Sequence, residues 1–163
     1  MGIMKRLDKL EAVLWSVALP GFSQLLSGQF LKGALLVLLE FLINVQSNFN
    51  EAIMLSFLGE TRRAAEIIDY QWLMFYPCLY MFAMWDAYRS AMREEEEMSY
   101  LPFAFGAYFI TVGLMYSVKV EVFGVFIGPI FFPMLSLLPG LGIGFIIRMI
   151  IMKSRKKARR RAV

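Results

Sequence analysis

The sequence predicts an all-α membrane protein, a polytopic helical bundle in which an N-terminal half-helix hairpin precedes four transmembrane helices. Hydrophobic residues make up 59% of the 163 residues, and the mean hydropathy is +0.59. So much apolar surface cannot be hidden in the core of one soluble domain of this length. Several runs carry almost no charge, and backbone embedded in lipid is satisfied only as helix. These runs are residues 33–45, 72–85, 101–116 and 122–152.

The first apolar stretch, Leu10 to Leu19, has only ten residues before Pro20-Gly21 interrupts it. Ten helical residues rise about 15 Å, whereas the hydrocarbon core of a bilayer is about 30 Å thick. We therefore expect residues 1–33 to form a re-entrant or interfacial hairpin on the cytoplasmic side. No small-residue cleavage site follows the stretch, so we expect the mature chain to start at Met1.

Four spans are expected after the hairpin. Asn50 is expected to cap a short interfacial helix that stops at Gly59, and Pro77 to kink the second span. The last span corresponds to roughly 45 Å of ideal helix and contains Pro129, Pro133 and Pro139, so we expect it to be broken. The predicted spans of this single membrane domain, residues 1–163, are residues 30–46, 70–86, 100–117 and 122–152.

The distribution of positive charge predicts that both termini are cytoplasmic, because basic residues collect on that side of a membrane. With four spans, 13 Lys and Arg lie on the cytoplasmic side, and Arg62, Arg63 and Lys119 lie on the other. An alternative, in which residues 10–27 cross fully and the last element folds back at Pro139-Gly140, has the same charge count. The 13 are Lys5, Arg6, Lys9, Lys32, Arg89, Arg93, Lys153, Arg155, Lys156, Lys157, Arg159, Arg160 and Arg161.

The C-terminal tail, residues 153–163, holds seven of the 17 Lys and Arg. Next to a hydrophobic span such a tail keeps its end in the cytoplasm and binds anionic lipid head groups. We do not expect nucleic acid as a partner. The basic residues are Lys153, Arg155, Lys156, Lys157, Arg159, Arg160 and Arg161.

Glu40 and Arg148 are the two ionisable residues deepest in apolar sequence, and each is costly alone in lipid. In the four-span topology they share a leaflet, and we expect them to pair. The alternative is that Arg148 extends to the surface while Glu40 is neutral or faces a small polar cavity with Asn44 and Gln24.

No pattern of residues supports catalysis, a cofactor or a metal site. The chain has no histidine and one cysteine, Cys78, so the usual zinc sites and an internal disulfide are excluded. Asp69 and Asp86 flank one span, roughly 25 Å apart along a helix, and cannot act together. Glu94 to Glu97 point in different directions on a helix, so we expect a solvated charged loop.

Arg62 is expected to pair with Glu66, one turn away. Gly140 to Gly144, and Gly124 with Gly128, are expected to let helices approach closely.

Two segments, PGFSQLLSGQFLKG (20–33) and WDAYRSA (85–91), resemble small multi-pass membrane proteins of bacteria that are distantly similar to the TM2 domain. These proteins carry Pro-Gly-x-Gly-Gln, Gly-Gln and Lys-Gly, then Asp-Ala-Tyr-Arg after a span; here Ser23 replaces a glycine. The resemblance covers roughly the first 95 residues and implies a bacterial plasma membrane, without an established activity. In the four-span topology the Lys-Gly turn and the Asp-Ala-Tyr-Arg segment meet at one surface, so we expect Asp86 or Arg89 to hydrogen-bond the exposed backbone or the glutamines of the hairpin. The alternative is that both segments are solvated independently. The matching residues are Pro20, Gly21, Gln24, Gly28, Gln29, Lys32, Gly33, Asp86, Ala87, Tyr88 and Arg89.

The predicted function is that of a non-enzymatic accessory or scaffold subunit. It would act through helix contacts and its cytoplasmic face, with a protein partner or a second copy of the chain. The alternative is a small transporter, channel or lipid-handling protein that uses Glu40, Arg148 and the broken helices as a polar path. The polar candidates for either role are Gln24, Gln29, Lys32, Glu40, Asp86, Arg89 and Arg148.

Overall fold

The chain is mostly helical, as the sequence predicts. A computed structural model describes residues 7–94 and 96–161, with residues 159–161 described by their backbone alone. Lys5, Arg6, Glu95 and the side chains of Arg159 to Arg161 therefore lie outside the described residues. The elements are α1 Lys9–Ala18, α2 Phe22–Leu26, α3 Phe30–Gln46, α4 Phe49–Phe57, α5 Thr61–Ile67, α6 Tyr70–Leu73, α7 Tyr76–Ser90, α8 Leu101–Tyr116, β1 Glu121–Val122, β2 Val125–Phe126 and α9 Gly128–Arg161.

The N-terminal helices reverse direction along α7. Near the start of α1, Leu7 and Ala12 pack with Ala87 and Ala91 at the end of α7. Farther along, the Val17 carbonyl accepts a hydrogen bond of 2.8 Å from the Tyr80 hydroxyl. Pro20 and Gly21 follow, and Gly21 takes a φ of +97°, which favours glycine. Helix α2 then leads the chain back, so the residues after this turn lie again beside the C-terminal end of α7.

Helix α3 covers residues 30–46, the same range as the first predicted span. A bend of 66° at Ser47 and Asn48 separates it from α4. Asn48 has a φ of +56°, and its side chain donates to the Ile67 carbonyl at 2.9 Å. The prediction that Asn50 caps this helix is wrong, because α4 begins one residue earlier and the Asn50 N–H donates to the Asn44 side chain.

The second predicted span is divided between α6 and α7. The Asp69 carboxylate accepts from the N–H groups of Gln71 and Trp72 and so caps α6. The break lies directly before Pro77, which is in the first turn of α7, where a missing N–H costs no helical hydrogen bond.

The last predicted element differs in two ways. It begins at Gly128, because residues 121–126 form a β-hairpin in which Glu121 pairs with Phe126 and Val122 with Val125. It is also unbroken: α9 continues through Pro133 and Pro139. An internal proline removes one hydrogen bond, and packing along α8 holds the remaining turns together. The alternative with a fold-back at Pro139-Gly140 is therefore wrong.

Glycines let α8 and α9 pack closely as an antiparallel pair. A Cβ on Gly140 would lie 2.9 Å from the Phe105 carbonyl oxygen, and one on Gly144 would lie 2.5 Å from Cα of Pro102. These two glycines play the predicted role. Gly128 plays it as well, because a Cβ there would lie 3.1 Å from Cβ of Thr61 on α5. Gly124 does not, because nothing lies within 4 Å of it; it takes a positive φ in the β-hairpin.

Within the described residues, one helix, Gly128–Ala158, is long and apolar enough to cross a membrane. A second candidate exists if α3 and α4 are counted as one bent span, and α8 is a shorter apolar helix. A cluster of apolar residues joins α4, α5, α6, α8 and α9 at the end of the molecule opposite the end of α7. Its buried members include Ala52, Leu55, Ala64, Leu73, Leu114 and Ile130.

Candidate functional site

Asp86 on α7 anchors the N-terminal hairpin. One carboxylate oxygen accepts a hydrogen bond of 3.0 Å from the Gln24 side chain, and the other accepts from Lys32 Nζ at 2.8 Å. Gln24 also donates to the Ala83 carbonyl at 3.0 Å. Asp86 is 9% exposed and Gln24 is 1% exposed, so this is a buried polar contact. The expectation that Asp86 binds a glutamine of the hairpin is met.

The other members of the two motifs lie close by. The Gln29 side chain donates to the Ser90 hydroxyl at 3.0 Å, one turn beyond Asp86. The guanidinium carbon of Arg89 lies 5.4 Å from the centre of the Trp85 ring. Of the two residues expected to hold the hairpin, Asp86 makes the contact to a glutamine.

Glu40 lies in the middle of α3 and is 8% exposed. One of its carboxylate oxygens accepts from the Tyr76 hydroxyl at 3.2 Å. The other has no hydrogen-bond partner among the described residues. Glu40 is therefore a buried carboxylate that accepts a hydrogen bond from a tyrosine of α7.

The predicted ion pair between Glu40 and Arg148 is wrong. Arg148 donates to the Glu96 carboxylate at 2.9 Å and to the Glu97 carbonyl at 3.1 Å. The reason lies in the helix order, because α9 packs along α8, whereas α3 packs against α2 and α7. The expected pair of Arg62 with Glu66 is also wrong, since Arg62 donates to Glu121 on β1 at 2.8 Å.

Glu96 is the centre of an ion-pair cluster that joins three parts of the chain. It pairs with Lys9 of α1 and Arg148 of α9, and it accepts from the Tyr88 hydroxyl at 3.0 Å. The hydrogen bonds from Lys9 and Arg148 lower the pKa of Glu96 to about 2. Next to it, Glu97 pairs with Arg155 at 3.4 Å.

The expectation of a solvated charged loop at Glu94 to Glu97 is therefore wrong for Glu96, whereas Glu94 and Glu97 are exposed as expected. The partners of Glu96 lie far away in the sequence: Lys9 is 87 residues from it, and Arg148 is 52 residues from it. The signal in the sequence was a run of acidic residues in a chain whose basic residues gather near the two termini. That signal does not say which acidic residue meets which basic one.

Charged residues gather at the two ends of the helices. The end that holds the Asp86 and Glu96 contacts also carries Lys9, Lys32, Arg148 and Arg155. At the opposite end, Arg62 pairs with Glu121 and Arg63 with Glu60. The four segments that the sequence assigned to the cytoplasm thus meet at one end of the molecule.

Between the ends the surface is apolar, and several polar side chains are buried. Buried residues include Ser16, Ser23, Gln24 and Glu40. Outward-facing residues of α3 and α9 are large and apolar instead. On α3 they are Phe30, Leu31, Leu35, Leu38, Phe41, Leu42 and Val45, and on α9 they are Met134, Leu135, Leu138, Ile143, Phe145, Ile146, Met149 and Ile150.

An apolar cavity of about 460 Å³ lies between the tip of α1 and helices α4, α7, α8 and α9. Its polar atoms come chiefly from Tyr76 and Tyr80, both on α7. Glu40 and Arg148 are not among the described residues that line it. The arrangement can hold an apolar group, and it does not join the two charged residues into one polar path.

These features define an all-α protein with a helix long and apolar enough to span a membrane. Compared with protein-family models, with curated proteins and with solved structures, the chain finds no match.

Proposed function

We propose that this chain is a multi-pass integral membrane protein of the bacterial plasma membrane, with both termini in the cytoplasm, that acts as a non-enzymatic accessory or scaffold subunit. The observation that carries the proposal is the large apolar surface that α3 and α9 expose. Exposed apolar faces of this size would be unstable in water, whereas in lipid they are solvated. The buried contacts of Asp86 and Glu40 then avoid lipid.

The arrangement of the helices supports four spans: α3, α6 with α7, α8 and α9. Their ends alternate, and the Lys-rich and Arg-rich segments lie at one end, as the rule for positive charge requires. Helices α7 and α8 are short, with 15 and 16 residues. Each rises about 23 Å, and a bilayer accommodates such helices by local thinning at a modest energetic cost.

A scaffold role follows from the Glu96 cluster. Ion pairs join α1, the α7–α8 connection and α9, so this end presents fixed charged groups to the cytoplasm. A partner of complementary charge can bind such a surface with specificity. The basic tail adds attraction to anionic lipid head groups.

A second candidate function, the handling of lipid or another apolar molecule, is favoured by the cavity of about 460 Å³. Its lining is mostly apolar, with tyrosine hydroxyls at one side, as is usual for sites that hold apolar ligands. The polar path through Glu40 and Arg148 has no such support, because the two residues contact different helices.

Cysteine labelling tests the membrane placement. In a Cys78→Ser background, single cysteines replace Ser27, Ser154 and Lys119, and intact spheroplasts receive a membrane-impermeant maleimide. Lys119→Cys should react at once, whereas Ser27→Cys and Ser154→Cys should react only after lysis. Rapid labelling of Ser154→Cys in intact cells would contradict the proposed orientation.

Purification from native membranes tests the scaffold role. Wild-type protein and the Arg62→Glu variant should retain the same partner, because Arg62 lies at the opposite end. Arg155→Glu should lose it, because the change reverses a charge beside Glu97. Retention of lipid alone by all three proteins would favour the second candidate and exclude the scaffold.

A further inference from the structure

A shallow apolar groove runs between α7 and α8 on the outside of the helix pair. Its volume is about 190 Å³, and its walls extend from Cys78 to Trp85 on α7 and from Tyr100 to Ala107 on α8. Seven residues of helix separate its two ends, a length of about 10 Å. The groove is therefore long and narrow enough for part of an extended hydrocarbon chain.

A second cavity, of about 520 Å³, lies at the end of this groove around the α7–α8 connection. Trp85 and Tyr100 line both cavities, so the two are neighbours. Side chains of both signs line the second cavity, among them Arg89, Arg93, Glu94 and Glu97, all exposed. An apolar groove thus lies next to a charged pocket, with Trp85 and Tyr100 at the border between them.

We infer that this composite site binds one phospholipid of the bilayer that carries an ethanolamine head group. The inference rests on the membrane placement proposed above. An acyl chain occupies the groove, the glycerol lies at the level of Trp85 and Tyr100, and the head group occupies the charged pocket. Aromatic rings of this kind favour the interface between hydrocarbon and water.

Charge complementarity selects the head group. The guanidinium group of Arg93 suits a phosphate, because arginine matches its geometry with paired donors. The carboxylate of Glu94 suits the primary ammonium, which donates hydrogen bonds that a quaternary ammonium cannot. A lipid with net negative charge is less suitable, because the carboxylates repel it.

Native mass spectrometry of the full-length protein tests the site. The protein in detergent is titrated with phosphatidylethanolamine, phosphatidylglycerol and phosphatidylcholine that share the same acyl chains. Because the basic tail also attracts anionic lipid, binding at the site is measured as the part that Ala104→Phe removes. For this part we expect the ethanolamine lipid to bind at least about tenfold more tightly than either other lipid, since one charge-assisted hydrogen bond changes affinity by that order. Equal or tighter binding of phosphatidylglycerol or phosphatidylcholine at this site would overturn the inference.

Matched variants separate the two parts of the site. Arg93→Gln should weaken binding of the ethanolamine lipid about tenfold, whereas Lys119→Gln, at the opposite end of α8, should not. Ala104→Phe fills the groove and should abolish binding, whereas Gly142→Phe adds the same ring at a position with nothing within 4 Å and should not. Unchanged binding in Arg93→Gln and Ala104→Phe would show that lipid binds elsewhere and would overturn the inference.

Cys78, at the apolar end of the groove, supplies a second readout. Adding the ethanolamine lipid should slow alkylation of Cys78 by a lipid-soluble maleimide in the wild-type protein. If lipid leaves that rate unchanged, the acyl chain does not occupy the groove and the inference fails. Cysteine labelling in spheroplasts reports on the membrane placement separately, so a failure of the proposed function is distinguishable from a failure of this site.

Discussion

Gly21 and Gly33 touch backbone to backbone: a Cβ on Gly21 would lie 2.5 Å from the carbonyl oxygen of Gly33, and one on Gly33 would lie 2.9 Å from the carbonyl oxygen of Gly21. This contact holds α2 against α3. It also places Gln24 and Lys32 on the same side of the hairpin, where both reach Asp86. The close packing of α2 against α3 therefore requires glycine at both positions.

Replacing Gly33 with alanine should destabilise the protein. The new Cβ would lie 2.7 Å from the Leu25 side chain as well as against the Gly21 carbonyl, so α2 must move away from α3. We expect a loss of about 1–3 kcal/mol in the free energy of unfolding, measured by denaturation in mixed micelles. Gly142→Ala is the control, since nothing lies within 4 Å there; it should be neutral or stabilising. Equal stability of Gly33→Ala and wild type would contradict the close contact.

Asp86→Asn should also destabilise the hairpin. The amide would present hydrogen-bond donors to Gln24 and Lys32, which are donors themselves, and it would leave the ammonium group without its counter-charge. We expect a loss of about 1–3 kcal/mol in the free energy of unfolding. Glu60→Gln removes an exposed pair with Arg63 and should change stability by less than about 0.5 kcal/mol. A similar effect of the two substitutions would show that the Asp86 contacts contribute no more than a surface ion pair.

Stability should fall in acid because of Glu96. Its pKa is lowered to about 2 in the folded protein, from 4.5. A carboxylate with a lowered pKa stabilises the folded state above its unfolded pKa, and this contribution disappears as the pH falls through the folded pKa. The difference in thermal midpoint between wild type and Glu96→Gln should therefore be constant above pH 5 and should shrink between about pH 4.5 and 2. A difference that stays constant down to pH 2 would argue against the ion-pair cluster.

Tyr76→Phe should cost about 1–3 kcal/mol, because it removes the donor to the buried Glu40 carboxylate and leaves that group without this partner. Tyr108→Phe is the matched control, as Tyr108 is 64% exposed. Unfolding of both variants in the same mixed micelles measures the difference. Equal costs would mean that the hydrogen bond to Glu40 contributes nothing measurable.

The sequence predicted the helical class. It also predicted the first and last residues of a helix well where these depend only on the sequence of that helix and its immediate flanks. Helix α3 has the predicted ends, and α8 differs from the predicted span by one residue at each end. The motif residues Gln24 and Asp86 also meet as expected. Hydropathy and the positions of proline and glycine are properties of a short stretch, so they can be read without knowing the neighbours.

Partners of the charged groups were decided only by the tertiary structure. Arg148 meets Glu96 rather than Glu40, and α9 continues through Pro133 and Pro139, because α9 packs along α8. A charge accepts any opposite charge that the fold brings near, and a proline bends or ends a helix according to the packing around it. By itself the sequence therefore determined which segments are apolar helices, whereas the order in which those helices pack decided the contacts between them.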